Sequence, residues 1–511
     1  MINFLKVHFR AMALFIVLAG FLLIFALYWG QSVSVSVPDE KPSYGFEPVD
    51  CWFTPESDWP QSECYHMHVP ENHAEQVSKS ITFPVVVFRS ASTTSIKAPV
   101  LHLGAGGPGA PMNLDSSVSI KTIWQYHDDM SINQGRDLFV IDPRGTGLSN
   151  PLLTCDTFVH NEIFRLKENL SFIEASAAVD NDYFDCIEKF KSQGINLSTY
   201  NSLSIAHDID MLREAAGVDQ WVLVGVSYAA IYAQIIATQY PQSVESMILD
   251  SATFPNLKMH NHYLENTMAS YRALYNYCSL NPDCEQPIDN IEQRIWDLHQ
   301  TLNEHPISLV IDHPYTYNTI DVVLNGERFI ASLLIGTYGE TVFSELPRIV
   351  TELESRRYNS ITPYLEKLTG YLLDTSYGDV SASSHYCYED KAYTDFSLIR
   401  AMTGKLPEGY IRDTALLSLD FPDYCQEMQI GAGNPVIAAA TQTDIPALFL
   451  HGELDTITPL SDVIEQRKLF SKSRLITYEL SHDVLSGAEC AEVVAAQFID
   501  DTEADILSCN I

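Results

Sequence analysis

The stretch Asp219–Pro255, DQWVLVGVSYAAIYAQIIATQYPQSVESMILDSATFP, limits this chain more than any other part of its 511 residues. Trp221–Gly225 is a short apolar run without alternation, the pattern of a strand buried on both faces of a parallel sheet. Apolar residues then recur on a helical period over Ala230–Tyr240, and a second apolar run follows at Ser246–Asp250. Strand, sharp turn, helix and strand make one βαβ unit, which commits the chain to an α/β fold. In the turn, Ser227 stands between Gly225 and Ala229, small residues two before and two after it. Larger side chains there would collide with the strand and the helix. The spacing is that of a nucleophile elbow, in which a strained turn lifts a serine hydroxyl above the sheet. The helix that follows points its N-terminus at the same place, where its partial positive charge favours developing negative charge.

The remaining motifs fall beside predicted strand ends. Strands are expected over Ser80–Phe88, Ala98–Leu103 and Arg136–Ile141, with a helix over Leu203–Ala216. Directly after the second strand come Gly104, Gly106, Gly107 and Gly109, a backbone that must take positive φ or approach something closely. Neither GxxxxGK nor GxGxxG spacing is present, so a phosphate cradle is a weak reading. Gly106 and Gly107 are instead placed to give an oxyanion hole together with the amide of Tyr228. Asp142 and Arg144 follow the third strand in DPRGTGLS, where turn hydrogen bonding is the simpler account of both. Past a strand at Ile445–Leu450 lies HGELDTITP with Asp455, and past another at Arg474–Glu479 lies LSHDVLS with His482. The order Ser227, Asp455, His482 is that of a serine, acid and base working together. His482 would take the serine proton and pass it to the leaving group, and Asp455 would fix the imidazole tautomer. Glu453 and Asp462 are the alternative acids; His102 and His451 are competing histidines that precede the acid loop. This chemistry calls for no metal and no cofactor.

Between Pro255 and Thr443 the α/β rhythm lapses, although helical stretches such as Asp289–Glu304 and Ser344–Glu354 persist. An insertion of that length is unlike a loop and reads as a mainly helical cap, placed after the strand ending at Asp250. The expected organisation is an anchor or signal segment over 1–30, a linker over 31–48, core over 49–254, cap over 255–443 and core again over 444–511. Ala11–Gly30 carries no charge for twenty residues after Lys6, His8 and Arg10, which favours an uncleaved membrane anchor and an exported remainder; cleavage is the alternative. A net charge of −36 makes nucleic acid an improbable partner. Ten cysteines without a CxxC pair suit disulfides in an exported chain. Pairing of sequence neighbours gives Cys51 with Cys64, Cys155 with Cys186, Cys278 with Cys284, Cys387 with Cys425 and Cys490 with Cys509. Free thiols in a reducing compartment are the alternative.

Taken together, GGPG (106–109), DPRGTGLS (142–149), GVSYA (225–229), HGELDTITP (451–459) and SHDVLS (481–486) resemble the prolyl and tripeptidyl aminopeptidases, α/β-hydrolase serine peptidases that act on free N-termini. The cysteine positions, HYCYED (385–390) and Cys490 resemble the exported tripeptidyl branch. The resemblance implies an α/β-hydrolase fold, a triad of Ser227, Asp455 and His482, and an oxyanion hole at Gly107 and Tyr228. It departs at Ala229 and Asp483, where glycine is commoner. Capture of a terminal ammonium needs a carboxylate at the pocket, and Glu389 and Asp390 are the candidates. A carboxylesterase or lipase with the same triad, and a catalytically silent binding protein, are the competing readings.

Overall fold

The computed structural model describes residues 44–91, 97–104, 106–281, 284, 289–316, 318–405, 412, 421–488 and 490–504. The expected anchor at 1–30 lies outside them. Among the described residues no helix is long and apolar enough to cross a membrane. The end of the stretch expected as linker is a strand, β1 (Gly45–Val49), which pairs antiparallel with β2 (Ser62–Pro70) and stacks Phe46 on Tyr65 at 3.8 Å between ring centres. That aromatic pair gives the edge strand an apolar contact the composition of the linker did not advertise.

A nine-stranded sheet organises the described residues. Beyond β1 and β2 it contains β3 (Ser80–Phe88), β4 (Val100–His102), β5 (Leu138–Ile141), β6 (Trp221–Val226) and β7 (Val244–Asp250). A hairpin of β8 (Ile307–Asp312) and β9 (Thr319–Leu324) stands apart, and β10 (Ala447–Gly452) and β11 (Ser473–Tyr478) complete the sheet. The order is β1-β2-β3-β5-β4-β6-β7-β10-β11. The run from β5 to β11 is parallel throughout, and β3 meets β5 antiparallel.

The lack of alternation in the inner strands now has its cause. Successive side chains point to opposite faces, and both faces are covered. Leu223, Met247 and Phe449 pack on one side with the helices Ser202–Ala216 and Ala229–Gln239. Val222, Val224, Ile248 and Leu448 pack on the other with Ser117–His127 and Ala491–Asp500. The helix is buried all round from Ala229 to Ala237, so its apolar character is not confined to one stripe.

The chain between β7 and β10 builds the cap from the helices Met259–Leu280, Ile291–Glu304, Gly326–Gly336, Thr341–Glu354 and Thr362–Leu372 together with the β8–β9 hairpin. A second piece was not expected. The helices Asp156–Arg165 and Phe172–Ser192, between β5 and β6, send Val159 and Leu166 into the same apolar cluster as Phe329, Phe343 and Leu365. The cap therefore comes from two stretches of chain, one of them inside the range assigned to the core. Disulfides join Cys51 to Cys64, Cys155 to Cys186, Cys278 to Cys284 and Cys387 to Cys425. Cys509, the expected partner of Cys490, is outside the described residues.

The elbow depends on close packing at one glycine. A Cβ at Gly225 would stand 2.8 Å from both the Ala229 carbonyl oxygen and the Ala230 Cα, backbone atoms at the start of a buried helix. Gly225→Val is expected to lower stability by about 2 kcal/mol or more, read as a lower denaturant midpoint than wild type.

Candidate active site

Ser227 leaves the C-terminal end of β6 with φ at 54°, a left-handed conformation that opposes a side chain. Its amide donates to the Asp250 carbonyl at 2.9 Å and its carbonyl accepts from Ala230 at 3.2 Å, so the turn is fixed at both ends. Gly106 lies directly against it: a Cβ there would fall 2.7 Å from Ser227 Cβ and 3.3 Å from its Oγ. Gly107 also has positive φ, at 52°. The amides of Gly107 and Tyr228 donate to no other group among the described residues, which leaves both available to an oxygen above Ser227. The Tyr377 hydroxyl donates to the Pro108 carbonyl at 2.9 Å and ties this loop to the cap.

Asp455 lies past the end of β10, and its Oδ2 sits 2.9 Å from His482 Nδ1. Its Oδ1 accepts from the amides of Ile457 and Thr458, each at 2.9 Å, and Thr458 Oγ1 is 2.8 Å from Oδ2. Burial by itself would raise the Asp455 carboxyl, but the facing imidazole and these donors hold it below the ordinary carboxylate range. For His482 burial disfavours the cation. Asp455 outweighs it, helped by Asp250 and Asp483, and the imidazole is raised above its ordinary 6.5. With Nδ1–H held by a carboxylate, Nε2 is the basic nitrogen. No hydrogen bond joins His482 to Ser227 among the described residues, and an open base-to-hydroxyl contact is common before substrate arrives.

The histidine loop is fastened from the end of β7. Asp250 accepts from Val484 N at 3.1 Å and Leu485 N at 2.7 Å, while Asp483 N donates to Ser251 Oγ at 2.9 Å. Asp483 has φ at 64°, which is why glycine suits the position; here the aspartate caps the next short helix by accepting from Ser486 N. Gly452 approaches the carbonyls of Leu480 and Ser481 so closely that a side chain would not fit. From the cap, Tyr338 meets the His482 ring edge-on at 5.3 Å and Ser481 Oγ donates to the Thr337 carbonyl. The polar pair Asp250-Ser251 at the end of an apolar strand was the sequence signal for this support.

The other named residues lie elsewhere or have other tasks. Asp142 is buried and accepts from Met112 N at 2.7 Å and Leu148 N at 3.0 Å, and burial pushes its carboxyl up to about 7. Arg144 is paired with Asp208 and with the carbonyls of Glu71 and Thr199. His102 meets the His127 ring at a tilt, 4.9 Å between centres, and His451 donates to the Thr458 carbonyl at 2.7 Å, behind Asp455. Glu453 is exposed and accepts from Thr477, whereas Asp462 is on the cavity wall. Glu389 does not present a free carboxylate: its oxygens take Ser202 N at 2.5 Å, Ser202 Oγ at 2.8 Å and the Tyr228 hydroxyl at 2.8 Å. Asp390 borders a side pocket that shares Tyr228, Leu257 and Lys258 with the main cavity.

That main cavity, of about 730 Å³, opens over Ser227 and Tyr228 between core and cap. Phe158, Phe172, Leu334, Leu368 and Leu372 make its walls largely apolar. Of its charged side chains, Glu162 pairs with Arg165, Arg328 and Lys258 donate to backbone carbonyls, and Glu327 meets His299 through Oε1 while its buried Oε2 has no hydrogen-bond partner among the described residues.

Residues 105–285 match the family described as alpha/beta hydrolase fold, and residues 417–507 match the one described as TAP-like protein. Among curated relatives, the serine protease Hip1 of Mycobacterium tuberculosis is 27% identical over 201 residues, 37% of this chain and 37% of that protein. The tripeptidyl aminopeptidase of Streptomyces coelicolor is 20% identical over 439 residues, 81% of this chain and 76% of that protein. Carboxylesterase B of Mycobacterium tuberculosis is 24% identical over 242 residues, 45% of this chain and 44% of that protein. The match thus spans little more than a third of the length of Hip1, and most of the tripeptidyl aminopeptidase.

An imidazole accepts a proton only when neutral, so a His482 serving as the base would work only above its raised titration. The acid limb of kcat/KM is expected above pH 6.5. In Asp455→Asn the charge that raises it is gone: the limb moves to lower pH and kcat falls by about 10³ to 10⁴. A pH–rate profile of both proteins on a small ester checks this, and a wild-type limb at or below 6.5 contradicts it.

Proposed function

We propose that this chain, which has the α/β-hydrolase fold and resembles the tripeptidyl aminopeptidases, is an exported serine exopeptidase that releases short peptides or single residues from free N-termini. The observation that carries the reading is the Asp455–His482 pair at 2.9 Å, set at the same end of the sheet as a strained serine flanked by two idle amides. In this mechanism Ser227 Oγ attacks the scissile carbonyl while its proton passes to His482 Nε2. The carbonyl oxygen becomes an oxyanion under the amides of Tyr228 and Gly107, each of which supports it as charge grows. Collapse breaks the amide bond, His482 returns the proton to the leaving nitrogen, and the acyl group stays on Ser227. Water then repeats the sequence in reverse roles and frees the serine. A cap that excludes bulk water from the cavity would strengthen each of these electrostatic contacts.

Free N-termini require a partner for an ammonium. We assign that task to Asp390, which borders the side pocket adjoining the main cavity. Export is supported by four disulfides, which persist in oxidising compartments. The second reading, a carboxylesterase, is favoured by one observation: the cavity walls are largely apolar, as an acyl chain would want.

A fluorophosphonate should label wild type and not Ser227→Ala. In a panel of peptides and acyl esters, peptides with a free N-terminus should turn over and their blocked counterparts should not. Asp390→Asn should raise KM for free-terminus peptides about ten-fold or more and leave simple esters unchanged. Turnover of esters alone would replace the exopeptidase reading with the esterase.

A further inference from the structure

Tyr228 follows the serine, and its amide is one of the two directed at the oxyanion. Its side chain reaches the cap. The hydroxyl donates to Glu389 Oε2 at 2.8 Å, and the ring meets Tyr232 and His385 edge-on at 5.8 and 6.2 Å. Glu389 is buried, 4% exposed, and lies in a short π-helical turn, Tyr386–Asp390. Such turns are rare and concentrate near functional sites. The carboxylate also accepts from Ser202 N and Ser202 Oγ, at the N-terminus of the fifteen-residue helix Ser202–Ala216. The helix dipole and these two donors stabilise the negative charge in place. Lys258 Nζ donates to the Glu389 carbonyl at 2.9 Å and steadies the same turn. Burial and the adjacent Glu389 keep the Tyr228 hydroxyl protonated, so it remains a donor.

Three distant parts of the chain therefore meet at one carboxylate: the cap turn, the start of a core helix and the residue after Ser227. We propose that Glu389 is a positioning residue for the oxyanion hole, acting through the Tyr228 hydroxyl to hold the Tyr228 amide on the position where the substrate oxygen becomes charged. An amide that is preorganised is worth more in the transition state than in the ground state, because only there does the oxygen carry full charge. Loss of the tether then lowers kcat and leaves KM alone. The inference rests on Ser227 as the nucleophile and on the Tyr228 amide as an oxyanion donor.

The test uses Tyr228→Phe, which removes one hydroxyl and keeps the ring packing and the backbone amide, with Glu389→Gln and the double variant. On a small ester, Tyr228→Phe is expected to lose about ten-fold in kcat with KM within about two-fold of wild type. Fluorophosphonate labelling should slow in proportion, since that adduct also places an oxygen in the hole. Glu389→Gln should behave similarly, and the double variant should lose no more than the worse single one, because both break the same tether. Wild-type kcat in Tyr228→Phe, a loss that appears in KM instead, or losses that multiply in the double variant would overturn the proposal. If Glu389→Gln fails to fold, Tyr228→Phe decides alone. Turnover that survives Ser227→Ala would remove the nucleophile reading and this one with it, whereas Ser227-dependent turnover untouched by Tyr228→Phe removes only this one.

Discussion

A serine in a left-handed backbone conformation is the constraint on which the rest depends. Residues with a Cβ avoid that region at a cost of about 1–3 kcal/mol, and they stay there only where the surroundings leave no alternative. Here the surroundings are the Ser227 amide bonded to the Asp250 carbonyl, a buried helix that begins two residues later, and two glycines packed closely against the elbow. Gly225 admits the helix and Gly106 admits the serine itself. The strain is absorbed by a core of buried strands, from which the hydroxyl is presented.

From that point the parallel sheet acts as a jig. Ser227 follows β6, Asp455 follows β10 and His482 follows β11, so three separate segments reach the same end of the parallel sheet. β7 lies between β6 and β10 and carries none of the three, yet its last carboxyl, Asp250, grips the histidine loop through two amides. Burial and the nearby Asp483 hold the Asp250 carboxyl well above its usual range. The acid that anchors the loop thus differs electrostatically from the acid that faces the imidazole, although both are aspartates within a few residues of strand ends.

The parts of this arrangement that could be read from sequence are those written in local pattern. Uninterrupted apolar runs announced the buried strands, small residues around Ser227 announced the elbow, and polar residues directly after apolar runs pointed to Asp455 and His482. What could not be read is written in contacts between distant segments. Glu389 looked like a carboxylate for a substrate because nothing near it in sequence indicated Ser202 or Tyr228, 187 and 161 residues away. The helices at 156–192 looked like core because they lie between core strands, and only their burial against Phe329 and Phe343 assigns them to the cap. Asp483 looked like a departure from glycine, but an aspartate tolerates positive φ and can cap the next turn.

The interruption of the sheet between β7 and β10 also bears on how the molecule is made. During synthesis β7 emerges with its edge unpaired, and its permanent neighbour, Ala447–Gly452, comes only after the whole insertion has been translated. At about 5–20 residues per second that is an interval of about 10–40 s. An apolar strand edge waiting that long is a template for pairing with the wrong chain. The nascent polypeptide therefore spends part of its birth as an open half-sheet in need of shelter, a burden that an uninterrupted fold of the same size would not have.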